Sequence, residues 1–77
     1  MVARTKAILR VLSRGREEKL APNVLKIFGV STFEEALAIY DAVGAAERES
    51  LDEGVERMTA NASAAFSLSV DSEMLKD

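Results

Sequence analysis

Apolar residues recur with the period of an α-helix in four segments of the chain, and this pattern predicts most of the fold. The first segment is residues 3–14, where Ile8, Val11 and Leu12 share one face. The second, residues 22–28, is short; Pro22 suits a first helical turn and Gly29 suits a left-handed C-terminal cap. The third follows Thr32 and ends at Gly44, and the fourth covers residues 45 to about 60.

The start of the third segment carries the clearest local signal. Ser31 with Glu34, and Thr32 with Glu35, form two overlapping capping boxes, in which a hydroxyl and a carboxylate satisfy backbone N–H groups of the first turn. The sequence therefore predicts that a helix begins next to these two hydroxyl residues.

Residues 64–70 are ambiguous. Ala64, Phe66, Leu68 and Val70 alternate with smaller or polar residues, as in a strand, yet Phe66 also continues the helical stripe of the fourth segment. A lone strand has no partner within this chain. Two alternatives remain: the fourth helix runs through Phe66 and then frays, or the segment is an extended arm that docks on another molecule.

These patterns predict an all-α fold, a small domain of three to four helices with a C-terminal tail that is extended in the second alternative. The domain covers residues 1–63 and the tail or arm covers residues 64–77. The predicted core consists of Ile8, Val11, Leu12, Val24, Leu25, Phe28, Phe33, Leu37, Tyr40, Val43, Leu51, Val55 and Met58.

Charge is distributed unevenly along the chain. Residues 1–26 hold seven basic and two acidic side chains, and residues 27–77 hold three basic and eleven acidic ones. Lys6, Arg10 and Arg14 line one face of the first helix. That basic face has three interpretations: contact with nucleic-acid phosphates, contact with an anionic membrane surface, or a core helix whose charges meet acidic groups of this chain or of a protein partner.

The residues needed for common chemistries are absent from the sequence. Among its 77 residues there is no cysteine and no histidine, so it lacks thiol and imidazole nucleophiles, bases and metal ligands. The Gly-Val-Ser corner at residues 29–31 resembles part of a helix-turn-helix, but the next helix begins with Glu34 and Glu35, which phosphates would repel. We expect no catalytic residues, no cofactor and no metal.

The sequence thus favours a non-catalytic, soluble interaction protein, a small structural or accessory component of a larger assembly such as a virion. A core this small gains stability by association, so the expected partner is another protein or a second copy. The alternatives are a nucleic-acid-binding or regulatory protein that uses the basic helix, and an acidic inhibitor that mimics nucleic acid. We expect an intracellular location or one within a larger particle, no recognisable secretion signal and no membrane span. The candidate partner-binding residues are Lys6, Arg10, Arg14, Phe66, Leu68 and Val70.

Overall fold

The computed structural model describes residues 4–76, which form five α-helices and no strand. The helices are α1 (Arg4–Ser13), α2 (Ala21–Phe28), α3 (Phe33–Ala42), α4 (Ala45–Thr59) and α5 (Ala64–Leu75). None of these helices combines the length and the apolar character that crossing a membrane requires.

Helix ends follow the capping signals of the sequence. The Thr32 hydroxyl accepts a hydrogen bond from the Glu35 backbone N–H at 3.2 Å and donates one to the Glu35 carboxylate at 3.1 Å. Thr32 is therefore the N-cap of α3, as the second predicted capping box requires, but the Glu35 carboxylate accepts from the Thr32 hydroxyl instead of from the Thr32 backbone N–H. Gly29 ends α2 with a φ of +70°, a left-handed conformation that glycine adopts without steric cost.

Helix α1 lies at the centre of the fold. It packs against α3, α4 and α5, while α2 packs against α3 and α4. Ala7, Ile8, Leu9, Val11 and Leu12 are all buried, so apolar contacts cover more than one face of this helix. The other helices complete the core with Val24, Phe28, Ala36, Tyr40, Val55, Phe66 and Val70.

The all-α prediction is confirmed, and each of the four predicted helical segments contains a helix. The predicted first residue of the first helix, Ala3, lies outside the described residues. Of the predicted core, Met58 is wrong, because it is 44% exposed, and Val43 is wrong too, because it is half-buried at the end of α3 and lies outside the core cluster. Leu25, Phe33, Leu37 and Leu51 are partly buried against the core, whereas Leu9 and Phe66 are buried core residues that the core prediction omitted.

Residues 64–70 differ from both alternatives drawn from the sequence. The extended arm is wrong, because these residues belong to α5, which packs against α1. The continuous fourth helix is wrong too, because α4 ends at Thr59 and a short turn separates it from α5. The physical reason is a new N-cap at Ser63, which starts a second helix in a different direction.

Candidate interaction surface

The candidate site is built on α5, and its position depends on Ser63. The Ser63 hydroxyl accepts a hydrogen bond from the Phe66 backbone N–H at 3.1 Å and donates one to the Glu17 carboxylate at 2.5 Å. The first contact caps the helix. The second ties the start of α5 to the loop between α1 and α2.

Helix α5 has apolar side chains on two sides. Phe66 and Val70 are 3% and 0% exposed and face the core. Leu68 and Leu75 are 70% and 86% exposed. Seven residues separate these two leucines, so they lie on the same face of the helix, two turns apart. The outer face of α5 therefore exposes a pair of aligned leucines to solvent.

An open groove lies beside Leu68, between α5 and the end of α1. Val11 and Leu68 are its apolar lining residues, and Arg14, Arg16, Glu73 and Lys76 are its charged ones. Among residues 4–76, three cationic side chains and one carboxylate thus line the groove. The groove carries an excess of positive charge, whereas the whole chain has a net charge of −3.

The Glu73 carboxylate in the groove already has cationic partners within the chain. Arg14 holds Glu73 in a bidentate pair, with nitrogen–oxygen distances of 2.5 and 3.3 Å, and the Lys76 ammonium lies 3.6 Å away. The Glu73 side chain is 6% exposed. The hydrogen bonds from Arg14 lower the pKa of the Glu73 carboxyl, against the opposing effect of its burial. Glu73 is therefore ionised at neutral pH and fixes Arg14 at the wall of the groove.

Arg16 adds a charge that no described residue compensates. It lies in the loop after α1, is exposed, and makes no ion pair with any residue in the range 4–76. Lys76 is also exposed, but its ammonium lies 3.6 Å from the Glu73 carboxylate. Among the described residues that line the groove, Arg16 is therefore the cation without an ion pair, and it can contact a partner without giving one up.

The candidate residues predicted from the sequence fall into different environments. Arg14 and Leu68 line the groove together. Lys6 pairs with Asp41 of α3 at 2.5 Å, and Arg10 is partly buried. Phe66 and Val70 lie in the core of the chain itself, because α5 is a helix that turns them inward.

Sequence reasoning missed Arg16, Leu75 and Lys76 as members of this surface. The signal for Leu75 was present in its spacing from Leu68, but that spacing places the two on one face only if residues 64–75 are helical. Arg16 gave no such signal, because it joins the groove through the path of a loop.

A second polar cluster lies inside the fold, where α1, α3 and α4 meet. One carboxylate oxygen of Asp52 accepts hydrogen bonds from the hydroxyls of Thr5 (2.5 Å) and Tyr40 (2.7 Å). Burial and the hydrogen bond to Asp52 raise the pKa of Tyr40 to about 12, so its hydroxyl stays protonated at neutral pH. Both hydrogen bonds join side chains of different helices, which gives this cluster a structural role.

Comparisons with protein-family models, with curated proteins and with solved structures found no match. Among residues 4–76, no three acidic side chains come together in a group that could hold a metal ion.

Proposed function

We propose that this chain is a non-catalytic interaction protein, a small structural or accessory component of a larger assembly, and that it docks through the outer face of α5. The observation that carries the proposal is the pair of aligned, exposed leucines on α5, Leu68 and Leu75, of which Leu68 also lines an open groove. Scattered single apolar side chains are common on protein surfaces, but an aligned pair next to a groove offers a continuous contact. Fully burying a leucine contributes roughly 1.5–3 kcal/mol.

The charges of α1 support this proposal over the alternative of a nucleic-acid-binding protein. Arg4 pairs with Glu56 and Asp71, at 3.0 and 3.4 Å, and Lys6 pairs with Asp41. Phosphate contacts would require these cations to exchange partners, which reduces the gain from counterion release. The same pairs use acidic groups of α3, α4 and α5, so they also reduce the charge available to an acidic mimic of nucleic acid.

Sedimentation tests the proposal in the cells that naturally produce the protein. A tagged parent chain is compared with the Leu68→Ser/Leu75→Ser double variant on a density gradient. We expect the parent to sediment with particles far larger than its own 8.3 kDa, and the double variant to remain near the top as a free chain.

Met58→Ser is the matched control, because it also removes an exposed apolar side chain but lies on α4. Circular dichroism of each purified variant checks that it keeps the helical content of the parent. A parent that sediments alone, or a double variant that sediments like the parent, contradicts the proposal. A shift of the purified parent by nonspecific DNA at physiological salt favours the nucleic-acid alternative instead.

A further inference from the structure

We infer that the occupant of the α5 groove is an acidic amphipathic helix of a partner protein, with an apolar ridge over Leu68 and Leu75 and carboxylates that meet Arg16 and Lys76. This inference rests on the proposed function, since it names the chemistry of the partner for the same surface.

The spacing of the leucines favours a helix as the occupant. Two side chains seven residues apart on α5 present contacts about 10 Å apart along the helix axis. A second helix with apolar residues at the same spacing matches that distance, and its ridge lies along α5 without a change of backbone conformation. The groove beside Leu68 gives the ridge a wall on the α1 side, formed by Val11.

The charges of the groove determine the sign of the partner. Among the described residues that line the groove, Arg14, Arg16 and Lys76 outnumber one carboxylate, Glu73. Glu73 already holds Arg14 and lies 3.6 Å from Lys76. An approaching carboxylate is attracted by the remaining cations and meets no uncompensated acid in the groove. A basic helix would bring like charges together, which weakens binding.

The same charges disfavour a second copy of this chain on the face. In a two-fold pair each groove meets its own equivalent, so the cations near Leu68 of one copy approach those of the other. Among residues 4–76, the side chains that line each groove carry an excess of positive charge, with Glu73 as the one acidic group. A separate acidic partner avoids this repulsion.

A set of synthetic helical peptides tests the inference. All share one leucine ridge of heptad spacing, and their flanking positions carry glutamate, glutamine or lysine. Binding to the full-length chain is measured by fluorescence anisotropy at low and at physiological salt. We expect the glutamate peptide to bind about tenfold or more tightly than the lysine peptide, with a difference that shrinks as salt rises.

Charge-reversing variants locate the contact. The Arg16→Glu/Lys76→Glu double variant should lose the preference for the glutamate peptide, and Leu68→Ser should weaken binding of every peptide. Lys26→Glu is the matched control: Lys26 is exposed on α2, outside the groove, and its reversal should leave the ratio of affinities unchanged, apart from a small general effect of net charge.

Three outcomes overturn the inference: equal binding of the glutamate and lysine peptides, an unchanged preference in the double variant, or dimerisation of the parent that Leu68→Ser abolishes. Each of these is distinguishable from failure of the proposed function. If Leu68→Ser/Leu75→Ser still removes the protein from large particles, the surface is a docking site and only the acidic chemistry of its partner is wrong.

Discussion

Ile27 packs directly onto Gly54, where α2 crosses α4. A β-carbon at position 54 would lie 3.3 Å from the Ile27 Cγ2 atom, closer than an ordinary van der Waals contact. The absence of a side chain at Gly54 thus lets the two helices approach, and it explains a glycine in the interior of a helix, where it costs about 1 kcal/mol relative to alanine.

This contact predicts that the effect of Gly54→Ala on stability depends on the side chain at position 27. In the parent chain, the gain of about 1 kcal/mol in helix propensity is partly cancelled because Ile27 must shift. In an Ile27→Ala background that obstacle is gone, and Gly54→Ala should stabilise the protein by the full amount. Urea unfolding of the four proteins in this double-mutant cycle measures the difference. Equal effects in both backgrounds would show that the two residues do not interact.

The cap of α3 predicts unequal roles for two adjacent hydroxyl residues. Thr32 makes the capping contacts with Glu35, so Thr32→Ala should lower the free energy of unfolding by about 1 kcal/mol. Ser31→Ala should change it by less than about 0.5 kcal/mol, because Ser31 is exposed and lies outside the cap. Thermal or urea unfolding of the two variants measures which substitution destabilises the protein more. A larger effect of Ser31→Ala would show that Ser31, and not Thr32, is the N-cap of α3.

The burial of Tyr40 and its hydrogen bond to Asp52 predict that the stability of the protein falls at alkaline pH. It is the single tyrosine of the chain, so absorbance near 295 nm follows its ionisation alone. The folded protein should titrate with a pKa of about 12, while the urea-unfolded chain titrates near its ordinary value of 10. Because folding raises this pKa, its contribution to stability is present below pH 10 and is lost as pH rises to about 12, by at most about 1.4 kcal/mol per pH unit. A folded-state midpoint at 10 would contradict the buried contact with Asp52.

The two sides of α5 predict opposite responses to substitution. Phe66→Ala should cost about 3–5 kcal/mol, because Phe66 is buried in the core, and this is enough to unfold much of so small a domain. Leu68→Ser, two residues along, should change stability by less than about 0.5 kcal/mol because its side chain is exposed.

Deleting residues 66–77 should abolish the cooperative melt. A truncated chain that still melts cooperatively would mean that α5 is dispensable.

Local signals were sufficient to predict α2, α3 and α4, because proline, glycine and hydroxyl residues mark their ends. They failed at residues 60–63. Met58 and Phe66 are eight residues apart, a spacing that fits one continuous helical stripe, and it concealed the turn between two helices. Ser63 caps α5 without an acidic residue three positions later, so the capping-box signal was absent.

The surface on α5 was less predictable than the fold for a related reason. The pair between Arg14 and Glu73 joins residues 59 positions apart, and no local pattern indicates which acid a given arginine meets. Leu9 shows the same limit in the core. It lies beside the apolar stripe of α1 and is buried because helices cover α1 on several sides, a property of the assembled fold rather than of the helix alone.

The central position of α1 has a consequence for synthesis on the ribosome. This helix leaves the ribosome first, yet one of the helices that cover it, α5, is the last to emerge. The side of α1 that α5 covers therefore stays uncovered until α5 has been translated, and packing α5 on α1 closes a loop that spans most of the chain. A chain that terminates before α5 would leave this apolar surface uncovered, and exposed surface of this kind promotes aggregation.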